Sequence, residues 1–185
     1  MLEQYLALGI THVLPLGFDH IVFILCLYLL NPSMRSVLIQ CSLFTLAHSI
    51  TLGLTASGLI IPDTMTVEVL IAASILFTAV ENILSSSVSS FRLVIIFLFG
   101  LIHGMGFAGA LKEIGIPKSD FLVPLISFNL GVELGQLSVI LIAWFCIGYW
   151  FSRKQWYRTR IVIPVSTAIG CLSVYWIFDR LALLS

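Results

Sequence analysis

The chain alternates long apolar stretches with short polar breaks. Six of the stretches approach the ~20 residues needed to cross a bilayer. They run from about Ile10 to Leu30, Ser36 to Ala56, Val67 to Leu84, Phe91 to Leu111, Val123 to Phe151 and Ile161 to Phe178. The breaks hold turn formers: Asn31-Pro32, Gly58 with Pro62-Asp63, the Ser85–Ser90 run, and Gly115 with Pro117. This pattern predicts an all-α polytopic transmembrane bundle of about six spans, or seven if the N-terminal segment forms a separate helix. Pro15 and Gly17 interrupt the first stretch. Pro15 cannot donate to the carbonyl of residue 11, so a kink is expected there. The fifth stretch exceeds one straight crossing and is expected to tilt or to start near Pro124. No linker divides the chain, which reads as one integral membrane domain over residues 1–185.

Polar side chains inside these stretches carry the functional signal. Asp19, His20, His48, Glu81, His103 and Glu133 all fall in apolar runs. Each charged side chain costs at least ~2.5–3.5 kcal/mol in hydrocarbon, and such residues turn toward a bundle interior or cavity. Helical spacing gives them neighbours. Thr45, His48 and Ser49 share a face, as do Thr78, Glu81 and Asn82, and as do Asn129, Glu133 and Gln136. His103 lies between Gly100 and Gly104, a small-xxx-small pattern that lets another helix approach closely. His12 precedes Asp19 by two helical turns, and reads either as a cavity residue or as an interfacial one. Glu81 taken alone reads equally well as glue between two helices. At 1.5 Å per residue the set spreads over a path of roughly 15–20 Å, with Glu81 at one end.

Composition narrows the class. The chain is 59% hydrophobic and only 10% charged, against about 25% charged in a soluble domain. Its net charge is zero, and no nucleic-acid-binding surface is expected. Lys and Arg are distributed unequally: Arg35, Arg92, Arg153, Lys154, Arg158 and Arg160 on one side, and Lys112, Lys118 and Arg180 on the other. The richer side should be cytoplasmic, with both termini outside. Tyr149, Trp150, Trp156 and Tyr157 fit an interfacial belt at that level. The first residues carry Glu3 and no basic n-region, so the first apolar segment is expected to be retained. Cys26, Cys41, Cys146 and Cys171 lie in apolar segments without a CxxC pair, and read as small core residues. Glu68 reads as an exposed residue favoured by a helix start, while Asp63, Asp120 and Asp179 need no special role.

Three histidines with carboxylates form a ligand set for Ni²⁺, Co²⁺, Zn²⁺ or a similar transition ion. Ca²⁺ and Mg²⁺ prefer all-oxygen shells. Asp19, His20, His48, His103 and Glu133 are the expected metal residues. His12, Ser49, Glu81, Asn82, Asn129 and Gln136 are expected along a transport path or behind the ligands. One reading, a transporter rather than an enzyme, is a permease in which protons compete with metal below the imidazole pKa of ~6.5. The alternative is an intramembrane zinc hydrolase. There Asp19 or Glu133 would act as general base, and Ser49 or Asn129 would steady an oxyanion. The implied partners are a metal ion and the lipid bilayer, with a homo-oligomer left open.

Four motif blocks in order also resemble the second branch of the HupE/UreJ membrane proteins. They are the run from His12 to His20 (HVLPLGFDH), the run from Phe44 to Leu52 (FTLAHSITL), the run from Phe99 to Ala108 (FGLIHGMGFA), and the run from Phe128 to Gln136 (FNLGVELGQ). The Glu68–Ser74 stretch and Ala79-Val-Glu81-Asn82 fit between them. The resemblance implies a nickel or cobalt permease of the bacterial inner membrane, with Asp19, His20, His48, His103 and Glu133 at the metal-carrying positions.

Overall fold

A computed structural model of the chain describes residues 2–106 and 122–182. Among these the regular elements are helices: α1 (Leu2–Val13), α2 (Phe18–Leu30), α3 (Met34–Ala56), α4 (Thr64–Leu84), α5 (Ser90–Gly106), α6 (Leu122–Phe151) and α7 (Arg158–Ala182). Four of them, α3, α4, α6 and α7, are long and apolar enough to cross a membrane. α1 and α2 pass that test only together, bent by 67° at the break between them. α5 has 17 residues, about 25 Å of helix. With the bent pair taken as one span, five segments pass that test, and the shorter apolar α5 stands at the remaining one of the six expected stretches. Phe107, Lys112, Gly115, Pro117, Lys118 and Asp120 lie outside the described residues.

The kink expected at Pro15 is a full break. Pro15 leaves the Thr11 carbonyl without its helical donor, and the Leu16 N–H takes it instead at 3.2 Å. The Leu14 N–H still reaches Ile10 at 2.8 Å, and the Ile21 N–H reaches the Gly17 carbonyl at 2.9 Å. The Leu14–Pro15 bond is cis. Gly17 passes so close to the His12 carbonyl oxygen that a Cβ there would overlap it.

Glycines also set the helix contacts. α1 lies on α6 through Gly9 and Gly131, where added Cβ atoms would strike the carbonyl oxygens of Phe128 and Leu6. α5 lies on α3 through Gly100 and Gly104, as their spacing predicts, against Phe44, Ala47, His48 and Thr51. In hydrocarbon, where burial of apolar surface gives no driving force, such close approach supplies the packing attraction. α6 starts at Leu122 with Pro124 in its first turn, where a missing N–H is tolerated. Its π-helical turn, Trp144–Gly148, falls where Gly148 meets the Tyr28 hydroxyl.

Several basic residues expected at the membrane surface turn inward. Arg92 is 1% exposed. Its guanidinium pairs with Glu81 at 2.8 Å and donates to the Gln40 Oε1 at 3.0 Å and the Asn82 Oδ1 at 3.4 Å. Arg158 donates to the carbonyls of Ile83 at 2.8 Å and Ser85 at 2.5 Å, closing the C-terminal end of α4, where helix carbonyls lack partners. Arg180 pairs with Glu68 at 3.0 Å and also donates to the Glu68 carbonyl, so Glu68 is engaged rather than free at a helix start. Tyr157 leaves the aromatic belt: it is buried and donates to the Leu29 carbonyl at 3.2 Å. Cys26 and Cys41 are buried, whereas Cys146 and Cys171 face outward; all four are free thiols. Asp63, given no role by the sequence, caps α4 by accepting from the Thr66 N–H at 2.9 Å and the Thr66 hydroxyl at 2.6 Å.

Two outcomes follow for stability. Arg92→Ala strands the Glu81 carboxylate in the bundle and should cost about 3 kcal/mol or more, read as thermal unfolding in detergent. The Arg92→Met/Glu81→Met double variant should recover most of that loss. At Asp63, the two Thr66 hydrogen bonds hold the carboxyl below the usual carboxylate range. A folded-state pKa below the unfolded one contributes stability above the unfolded value of ~3.9, and that contribution disappears as pH falls through the folded value. The stability gap between wild type and Asp63→Ala, measured by denaturation, should therefore be present near neutral pH and close in strong acid.

Candidate intramembrane histidine site

The break between α1 and α2 brings the ends of two helices together inside the bundle. His12 closes α1, and Asp19 and His20 open α2. Their imidazole rings lie 4.6 Å apart, centre to centre. α3 adds His48, 6.1 Å from both rings, and α5 adds His103, 5.3 Å from His20. Four imidazoles thus surround one small region with His20 at its centre. His20, His48 and His103 are each no more than 3% exposed.

Hydrogen bonds orient two of the rings. The Asp19 Oδ1 accepts from the backbone N–H of His20 at 2.8 Å and lies 3.0 Å from its Nδ1. A carboxylate is an acceptor, so Nδ1 carries a proton, and in the neutral tautomer the lone pair is on Nε2. The same logic applies to His103. The Ser74 hydroxyl gives its hydrogen to the Ile71 carbonyl at 2.7 Å, so at 3.1 Å it accepts from the His103 Nε2. The His103 Nδ1 is then the bare nitrogen. The buried Nε2 of His20, Nδ1 of His103 and both ring nitrogens of His48 have no hydrogen-bond partner. A carboxylate or hydroxyl behind an imidazole, fixing its tautomer and raising its basicity, is the usual support for a metal-binding histidine. As the side chains stand, no group of three or more His, Cys, Asp or Glu among the described residues is already set around one metal position.

Phenylalanines wall the site. Phe44 approaches His103 at 4.9 Å, Phe23 approaches it at 5.5 Å, and Phe128 lies 5.5 Å from His12. Phe23 and Phe44 also touch each other at 5.0 Å. They form an apolar layer between the imidazoles and the Arg92–Glu81 pair.

The other expected site residues lie elsewhere. Glu133 faces outward and accepts from the Ser42 hydroxyl at 3.0 Å. Ser49, Asn129 and Glu133 line a groove of about 410 Å³ between α3 and α6 that no histidine touches. Gln136 accepts from the Thr45 hydroxyl at 3.1 Å. Glu81 and Asn82 belong to the Arg92 layer. Sequence reasoning missed Ser74, though it stands four and seven residues before Thr78 and Glu81, on their helical face. The phenylalanine walls gave no signal, because apolar residues fill these stretches everywhere.

A bundle of apolar helices, one of them broken, defines a multi-pass membrane protein, with histidines clustered inside it. The model of the family described as HupE / UreJ protein matches residues 1–180, and the chain belongs to that family, which is associated with nickel and cobalt transport. No curated protein and no solved structure matches the chain.

Gly17→Ala tests the geometry of the break. Its Cβ would meet the His12 carbonyl, so the turn must open. A loss of about 1–3 kcal/mol in detergent unfolding is expected, typical of overpacking. Ala at the half-buried Gly53, which meets only the flexible end of Leu125 at 3.3 Å, should cost clearly less.

Proposed function

We propose that this protein is a permease of the bacterial inner membrane that moves a divalent transition ion, nickel or cobalt, through the histidine site. The observation that carries the proposal is the convergence of four imidazoles, two of them held by Asp19 and Ser74 in tautomers that leave a ring nitrogen of each without a hydrogen-bond partner in the buried interior. Imidazole donors suit Ni²⁺, Co²⁺ and Zn²⁺, and family membership favours the first two. His20, His48 and His103 are the primary ligands, with His12 beside them. Glu133 takes no part in this set, since its hydrogen bond and its groove lie on the outer side of α3 and α6.

Transport has better support than hydrolysis. A hydrolase needs an oxyanion donor at the metal beside its base; Asp19 stands at His20, but the expected donors Ser49 and Asn129 line a separate groove. Orientation follows from the basic residues that stay exposed at one end, Arg35, Arg153, Lys154 and Arg160. That end is cytoplasmic by the positive-inside rule, which leaves both termini periplasmic.

The test is metal binding by the purified full-length protein, joined to uptake in proteoliposomes. Ni²⁺ or Co²⁺ should bind reversibly, and His48→Ala or His103→Ala should abolish it. Ser74→Ala should weaken it roughly tenfold or more, as expected for loss of a group that orients a ligand. Uptake should fall as the medium is acidified, because protons and metal compete for the same nitrogens. Binding that persists in both histidine variants would refute the assignment. Tightly held zinc that cannot be exchanged would return the hydrolase reading.

A further inference from the structure

The end of the bundle where α3, α5 and α7 begin carries a charge imbalance that the histidine site does not use. Arg92 is paired with Glu81, and Arg158 closes the C-terminal end of α4. Arg35, Arg153, Lys154 and Arg160 remain, all exposed. Residues 20–62, 82–106 and 134–178, which include the helix ends and connections gathered there, hold no Asp or Glu. Among the described residues, Glu81 is thus the acidic side chain of this end, and Arg92 already holds it. The exposed cations have no counter-charge of their own. Tyr149 and Trp150 are exposed just before them in the chain, and the Arg160 guanidinium lies 5.7 Å from the Trp156 ring centre. Aromatic side chains so placed sit at the level of lipid headgroups.

A cleft of about 200 Å³ opens at the same end, between α3 and α5. Ser36 and Ser89 line it where the two helices start, and Ile39 and Leu93 line it about one turn deeper. Both hydroxyl oxygens accept hydrogen bonds: Ser36 Oγ from the Gln40 Nε2 at 3.2 Å, and Ser89 Oγ from the Arg92 backbone N–H at 3.3 Å. Neither hydroxyl donates to an acceptor among the described residues, so each keeps a hydrogen for a ligand. Arg35 precedes Ile39 by four residues and shares its face of α3, one turn nearer the surface. A guanidinium and two O–H donors above an apolar slot match the parts of a phospholipid, with phosphate at the mouth and acyl chain below. The uncompensated cations favour a headgroup of net negative charge over a zwitterionic one. A soluble acidic partner would meet the cations and leave the slot between Ile39 and Leu93 unused.

We propose that the α3–α5 cleft is a binding site for an anionic phospholipid. Arg35, Ser36 and Ser89 hold its phosphate, Ile39 and Leu93 flank its chain, and Arg153, Lys154 and Arg160 supply the surrounding positive field. The proposal does not depend on the metal reading.

The test is native mass spectrometry of the full-length protein released from vesicles of equal phosphatidylglycerol and phosphatidylcholine. Phosphatidylglycerol should be retained over phosphatidylcholine by roughly fivefold or more, the scale of one cation at a charged surface. Arg35→Ala should remove most of that preference, and Arg35→Lys should keep it. The Ser36→Ala/Ser89→Ala variant leaves every charge in place, and it should still lower retention several-fold. Lys154→Ala should lower it less than Arg35→Ala does. Because Arg35 is exposed, Arg35→Ala should unfold in lipid-free detergent at the wild-type temperature. Equal retention of the two lipids would overturn the proposal. So would retention indifferent to the serine pair, since a diffuse cationic surface would then suffice. Displacement by glycerol 1-phosphate would assign the cleft to a soluble anion, and a second copy bound in place of lipid would assign it to a dimer contact. Either result would also overturn the proposal.

Discussion

The break between α1 and α2 is the constraint on which the site depends. A bilayer offers no water to freed backbone groups, so a helix can be interrupted at membrane depth only where the protein supplies partners. Here the Leu16 N–H takes the carbonyl that Pro15 leaves open, and Gly17 allows the chain to fold back against His12. In an unbroken helix His12 and His20 would stand about 12 Å apart along the axis. The break brings their rings to 4.6 Å. It also places Asp19 in the first turn of α2, where the helix dipole favours a carboxylate. A single crossing thereby contributes two imidazoles and the carboxylate that orients one of them.

Polar residues that sequence spacing arranges along one graded path occupy three separate places. The imidazoles sit behind phenylalanines. The Arg92–Glu81 pair lies toward the end where α3, α5 and α7 begin, and Cys26, whose backbone carbonyl faces it, is six residues beyond His20, about 9 Å further along α2. Glu133 and its groove face outward. This separation follows from the cost of burying charge. Arg92 is buried because Glu81, Gln40 and Asn82 meet its donors, and a cation so placed is kept from the imidazoles by the Phe23–Phe44 layer. In a low-dielectric interior, a cation beside the imidazoles would oppose a second one entering there.

Much of the fold was legible in the sequence, because lipid imposes a simple rule: a helix must be apolar for as long as it spans. The stretch limits predicted for α3, α4, α6 and α7 agree with the helices to within a few residues. Gly100 and Gly104 announced a close helix contact by their spacing, though not that the partner is α3, and Pro15 with Gly17 announced an interruption. The site was legible in part. His20, His48 and His103 stood out as imidazoles in hydrocarbon, and they meet. Glu133 stood out for the same reason and does not join them. Cost alone marks a residue as purposeful without saying which face of which helix it serves. Arg92 and Arg158 were misplaced because charge near a predicted loop resembles a topology anchor. Whether a guanidinium points to water or inward depends on the carbonyls and carboxylates opposite.

By itself, then, the sequence determined the class, the apolar stretches and the residues too expensive to be idle, since hydropathy and helical period act along the chain. The tertiary structure decided which of those residues share a space. That depends on the 67° bend, on the glycine contacts that rotate each helix, and on partners such as Ser74 and Gln40 supplied from other helices. Distances between helices are set by packing, and no pattern within one helix encodes them.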